Sequence, residues 1–186
     1  MLSTHKVSTK PSPSGVAPVE IVFLPGSEPP LAYISNMMGG SLWMTSWNAQ
    51  RKSVGFEEIF DFSPQQIGMP LEIYFSKWRN RMYVTTAKPA HLNIFAIGAN
   101  SKPPKLLKSI ATSAGAHHVG FSPDERYALA QNSLLNLPGL SDDAITVVDL
   151  VKEEVVAQAD VLNNWGGQSQ LYRIVTEVAG AKQPLG

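Results

Sequence analysis

The chain of 186 residues contains no cysteine. Disulfides, cysteine zinc sites, iron–sulfur clusters and thiol nucleophiles are therefore excluded within it. Charge is scarce too: only 16% of residues are charged, and 15 Lys plus Arg balance 15 Asp plus Glu. With no basic excess to track phosphates, nucleic acid is not an expected partner. Nor is there a polybasic anchor for a membrane surface. No apolar run approaches the ~20 residues of a spanning helix, so no membrane span is expected. The N-terminus lacks the apolar core of a signal peptide. On that ground the chain reads as cytoplasmic, or as periplasmic if it belongs to a longer exported protein. Absent as well are a G-x-S-x-G elbow, a P-loop and a dinucleotide fingerprint. These gaps leave no reaction to name, so whether the chain is an enzyme stays open.

What is present is β-structure. Hydrophobic residues make up 44% of the chain, enough for a sizeable core. Amphipathic helical periodicity is rare, while short β-type runs bounded by turn residues recur. A first group holds "VEIVFL", "LAYISNM", "SLWMTSWN" and "VGFEEIF". A second holds "PLEIYFS", "RMYVTTA", "HLNIFAI" and "KLLKSI". A third holds "HHVGFS", "RYALAQN", "AITVVDL" and "EEVVAQADV". Phe23, Phe75 and Phe121 occupy one place in the first strands. Tyr33, Tyr83 and Tyr127 are expected to share one place in the second strands, at spacings of 50 and 44 residues. That period suits a four-stranded blade, which must stack on neighbours to bury both faces. The expected layout is a lead-in over 1–18, blades at about 19–62, 69–111 and 116–161, and a tail over 162–186 with room for one more strand at 171–178.

The third group, "HHVGFSPDERYALAQN" followed by "AITVVDLVKEEVVAQADV", resembles the YVTN-type β-propeller repeat. "FSPDERY" stands for its turn and "ITVVDL" for its third strand. "RMYVTT" is a near-copy of the second-strand signature and "LAYISN" a looser one. Glu125 departs from the pattern where glycine is usual, in a turn position that takes φ > 0. The resemblance implies an all-β fold: a β-propeller of four-stranded antiparallel blades, about three of them visible. Propellers close with 4 to 8 blades. The array is thus partial, or completed by oligomerisation, and self-association through its open blade edges is an expectation.

Glu20, Glu72 and His118 each lie three residues before the shared phenylalanine. Their register sets them on one side of successive inner strands, at the end where a propeller channel opens. Such an arc could hold a divalent cation, do acid–base work, or merely meet channel water. His117 should face away from His118 if the strand is regular, and can join it only if the strand starts late. A further ligand would come from His91 or from other blades. The resemblance also implies copper as a candidate metal, since related propellers present histidines to their channel. A second candidate is the loop over 131–143, where Asn132, Asn136, Asp142 and Asp143 offer oxygens to a hard cation. Its leucines favour a packed flap instead. Trp43, Trp47 and Trp78 read as core or blade packing, and the basic turns over 51–53, 77–81 and 102–105 as solvated. The function expected is a scaffold that binds a ligand or protein partner through the channel face. The alternative is a metal-dependent propeller enzyme, of lactonase or copper oxidoreductase type, using the Glu/His positions.

Overall fold

A computed structural model describes residues 17–98, 102–134 and 137–160. They form twelve strands in three antiparallel sheets of four. Blade 1 comprises β1 (Pro18–Phe23), β2 (Leu31–Asn36), β3 (Ser41–Asn48) and β4 (Ser53–Asp61). Blade 2 comprises β5 (Gly68–Phe75), β6 (Arg81–Lys88), β7 (Ala90–Ala96) and β8 (Lys105–Ala111). Blade 3 comprises β9 (Val119–Phe121), β10 (Tyr127–Ser133), β11 (Ser141–Asp149) and β12 (Glu154–Asp160). One 3₁₀ turn, Ser63–Gln65, links the first two blades. Strand order follows chain order in every sheet, so each blade is a simple meander. The tail over 161–186, with its expected strand, lies outside the described residues.

The cores lie between the sheets. Leu31, Tyr33 and Met44 of blade 1 meet Ile73, Met82, Val84 and Phe95 of blade 2. Tyr83, Leu92 and Ile94 of blade 2 meet Val119, Ala128, Ala130 and Val148 of blade 3. Alternate residues of one blade-2 strand therefore feed two different cores. Met82 and Val84 point one way and Tyr83 the other, as the two-residue strand period requires. This explains why β6 is buried almost throughout: it has a neighbour on both faces.

Register corrects one part of the sequence alignment. Phe23 pairs with Ala32, Phe75 with Met82 and Phe121 with Ala128. Tyr33 and Tyr83 are thus equivalent, but the third equivalent is Leu129. Tyr127 lies two residues earlier, matching Arg81. The five-residue turns after Phe75 and Phe121 have equal length, so the extra spacing sits elsewhere in the blade. Glu125 takes the left-handed conformation, with φ 55°. A side chain there costs about 1–2 kcal/mol. Both Glu125 carboxylate oxygens accept the Lys77 backbone N–H, at 2.9 and 3.0 Å, which ties the blade-3 turn to blade 2. That charge-assisted contact offsets the strain.

The basic turn over 77–81 is not merely solvated. Arg79 donates to the Pro25 carbonyl at 2.7 Å, bridging to blade 1. Arg81 pairs with Glu153 of blade 3 at 2.9 Å, and the Lys77 ammonium donates to the Pro123 carbonyl. Among the tryptophans, Trp43 is buried, with its indole N–H on Ser41 Oγ at 3.0 Å. Trp78 is the correction: it sits at the tip of the β5–β6 turn and is almost fully exposed.

Candidate functional site at the inner-strand mouth

Each inner strand is irregular where the candidate residues lie. Register shifts occur between Pro18 and Glu20 in β1 and between Pro70 and Ile73 in β5. Ahead of β9, the His117 N–H donates to the Gln131 carbonyl at 2.9 Å, and the Gln131 N–H donates to the His118 carbonyl at 2.8 Å. Two residues thus oppose one, the arrangement of a bulge. An extra residue cancels strand alternation. The regular ladder of β9 begins only at Val119, so His117 does not face away from His118. Their rings stack, with centroids 4.0 Å apart and planes 27° from parallel. The facing residues on the second strands are Ser35, Thr85 and Gln131. Ser35 Oγ accepts the Glu20 N–H at 3.2 Å and Thr85 Oγ1 accepts the Glu72 N–H at 3.1 Å. Side-chain oxygens there replace the ladder bonds that the bulges break.

These bulges turn the side chains toward the next blade. The Glu20 carboxylate of blade 1 accepts the Ile73 N–H of blade 2. Glu72 of blade 2 in turn meets blade 3: its Oε1 lies 3.2 Å from His117 Nε2 and 3.7 Å from His118 Nδ1. Tyr74 Oη accepts the Val119 N–H at 3.0 Å beside them. Glu72 and His117 are mostly shielded, while His118 is open to solvent. Burial pushes the Glu20 carboxyl up to about 7, and the neighbouring Glu72 charge and hydrogen bond add to the rise. The Ile73 N–H opposes it. Burial and the neighbouring carboxyl together favour the protonated form of Glu20.

One potential ligand atom from each of Glu72, His117 and His118 lies within 4.8 Å of the other two. In a tetrahedral site with bonds of ~2.0–2.1 Å, ligand atoms stand roughly 3.3 Å apart. The Glu72–His117 separation already matches, and the others need small side-chain adjustments. Two imidazoles and one carboxylate form a nitrogen-rich set that suits zinc or copper over calcium or magnesium. Glu20 lies behind Glu72 rather than among the three. His91 does not join either: its Nδ1 is 3.1 Å from the Pro89 carbonyl.

The second candidate site is not assembled as a loop. Asn132, Asp142 and Asp143 lie on β10 and β11, because those strands run further than the turn residues suggest. Asn132 is buried, and its amide donates to the Ala144 carbonyl at 2.7 Å and Thr146 Oγ1 at 2.9 Å. Asp142 accepts the Ala144 N–H at 2.9 Å. Asn136 lies outside the described residues. Leu134 and Leu140, at the two ends of the β10–β11 connection, pack on Leu71 and Ala87 of blade 2. The residues that sequence reasoning missed are Tyr74 and Gln131. Neither has a motif of its own, and only the strand pairing brings them to the histidines.

No family model and no curated protein matches the sequence. Solved structures do match. A protein from Lactobacillus plantarum shares 18% identity over 77% of this chain and 41% of its own, with a TM-score of 0.60. Hydrazine synthase of Kuenenia stuttgartiensis shares 21% over 87% of this chain and 39% of its own, with a TM-score of 0.56. The beta-propeller domain of Cps50 (Swd1) from Myceliophteria thermophila shares 13% over 79% of this chain and 44% of its own, with a TM-score of 0.56. The chain spans about two fifths of the length of these structures. At such identities the likeness concerns fold alone, and fold does not carry function. Three stacked four-stranded meanders and these structural neighbours together make the chain a partial β-propeller.

Proposed function

We propose that the chain is a ligand-binding propeller segment whose binding point is the inner-strand mouth, and that this mouth takes a divalent transition-metal cation. The observation that carries the reading is the convergence of Glu72, His117 and His118 from two blades, within 4.8 Å. Three protein ligands leave a coordination position free for a ligand or partner group. Metal capture would also clamp blade 2 to blade 3, since Glu72 belongs to one and the histidines to the other.

Calorimetric titration of purified, metal-stripped protein with Zn²⁺, Cu²⁺ and Ca²⁺ tests this. The expected result is one Zn²⁺ or Cu²⁺ per chain and no Ca²⁺. Glu72→Gln and His118→Ala should each weaken binding by about tenfold or more, the scale on which even supporting groups around a metal act. Equal binding by wild type and both variants would overturn the assignment.

A second reading, a metal-dependent hydrolase, is favoured by one feature: the Glu20–Glu72 carboxyl pair beside the ligand set. A group that holds a proton near neutrality suits general acid–base work. Lactone hydrolysis by Zn²⁺-loaded protein, abolished in Glu20→Gln with metal binding retained, is the outcome that selects it.

A further inference from the structure

At the opposite end of the strands from the histidines, the β5–β6, β9–β10 and β11–β12 turns surround a groove of about 350 Å³, within the ~300–1,000 Å³ of small-ligand clefts. Trp78 and Val151 line it and are 84% and 77% exposed. Trp78 and Asp124 hold the same place in equivalent turns. Each lies three residues after the shared phenylalanine and just before a left-handed residue, Arg79 or Glu125, both with φ 55°. An indole from one blade thus shares the groove with a carboxylate from the next. The turn that carries Trp78 is pinned from both sides: Glu125 of blade 3 accepts the Lys77 N–H, and Arg79 donates to the Pro25 carbonyl of blade 1. The indole is therefore presented on fixed backbone. Tyr83 lines the groove as well, 4% exposed, with its ring 5.1 Å from that of Phe121. Its hydroxyl has no hydrogen-bond partner among the described residues. A shielded hydroxyl without a partner is costly, and a ligand in the groove supplies the missing bond.

We propose that this groove binds a neutral saccharide, with the apolar face of a sugar ring on Trp78 and its hydroxyls bonded to Tyr83, Asn80 and Asp124. An exposed indole offers a flat apolar surface. A sugar ring has a C–H face to lay on it and a rim of hydroxyls, each both donor and acceptor. The groove provides both kinds of partner. Asn80 accepts the Ser76 hydroxyl through Oδ1 at 2.9 Å, which leaves its Nδ2 to donate. Asp124 accepts the Ser122 hydroxyl at 2.6 Å and the Arg126 N–H at 3.1 Å, both through Oδ1, which leaves Oδ2 to accept. Charge argues for neutrality of the ligand, because both signs line the groove and are already engaged. Arg81 pairs with Glu153 at 2.9 Å, and Glu125 holds the Lys77 N–H. A cationic ligand would meet Arg81, and an anionic one Asp124 and Glu125. A peptide is a poorer fit: β6, the strand that reaches the groove, lies between β5 and β7, so an extended chain finds no edge to join. Nor would a further blade fill the groove, since blades stack sheet on sheet and turns at strand ends form these walls.

The test places the full chain on an array of neutral, acidic and amine-bearing oligosaccharides and then titrates the retained neutral ones by calorimetry. Neutral members alone should be retained. Trp78→Ala should weaken their binding about tenfold or more, with an unchanged circular dichroism spectrum because the side chain is mostly exposed. Tyr83→Phe keeps the ring on Phe121 and removes only the hydroxyl, and should weaken binding about fivefold. Glu72→Gln should bind sugar as wild type does, which separates this groove from the inner-strand mouth. Retention of no neutral oligosaccharide overturns the proposal, as does retention that Trp78→Ala leaves intact. A preference for acidic or amine-bearing members overturns the neutral class.

Discussion

At the scale of single residues, polar side chains stand in for backbone partners at the β1 and β5 bulges and at several turns. Glu125 shows the trade most plainly: left-handed backbone strain is set against a carboxylate holding the Lys77 N–H of the next blade. Glu125→Ala keeps the strain and loses the contact, and should cost about 1–2 kcal/mol in urea unfolding. Glu125→Gly relieves the strain as it loses the contact and should fall within about 1 kcal/mol of wild type. Asp149 plays a similar part at the β11–β12 turn, accepting the Val151 and Lys152 N–H groups at 2.9 and 3.0 Å. Burial pushes its carboxyl up, but the Lys152 and Val151 N–H groups and the Arg126 guanidinium outweigh burial and hold it below the ordinary range. A depressed carboxylate binds fewer protons folded than unfolded, so its contribution is present above the unfolded value of 3.8 and lost as pH falls. The stability gap between wild type and Asp149→Asn should therefore be constant from pH 5 to 7 and shrink below about pH 4. A gap that stays constant down to pH 3 would contradict this account.

At the scale of elements, each blade-2 strand serves two interfaces, and its interior positions should be the least tolerant. The Phe95 ring packs edge-on to Phe60 at 5.1 Å and to Phe62 at 6.2 Å, and Phe95 is fully buried. Phe95→Ala should cost about 3–5 kcal/mol in denaturant unfolding. Leu140 packs on Leu71, next to Glu72 in sequence. Leu140→Ala should cost about 2 kcal/mol or more and should also weaken the metal site in titration, because Leu140 buttresses the strand that carries Glu72. A loss of stability with metal affinity intact would show that Leu140 only packs. The elements were the most legible part of the sequence, since β-type runs and turn residues are local signals. Bulges were not: "AHHV" carries no mark that an extra residue cancels alternation there. That one local event decides whether two histidines diverge or stack.

At the scale of the whole molecule, the main contacts between sheets run from blade 1 to blade 2 and from blade 2 to blade 3. Such arrays gain stability from nearest-neighbour interfaces, and end units need a different surface. In blade 1, Ile21 and Phe23 are exposed, whereas Ile73 and Val119, the equivalents of Ile21, are buried. The tyrosine alignment shows where reading a repeat from sequence goes astray. Tyr33 and Tyr83 are equivalent by pairing, but Tyr127 is displaced by two residues. A two-residue slip keeps side chains on the same face, so hydrophobic pattern alone cannot detect it.

The sequence by itself determined the class of the protein: β-runs with period two, turns between them and a blade-length repeat. It also determined that Glu20, Glu72 and His118 share one place in their blades, because equal distance from a repeated phenylalanine is a one-dimensional fact. Tertiary structure decided the rest. Which side chains touch depends on how far strands run, where a bulge rotates the chain, and which blade stands next. Glu72 reaches the histidines of blade 3, while Glu20 stops at Ile73 and the carboxyl behind it. Those are relations across sheets, set by packing between residues distant in the chain, and no local pattern encodes them.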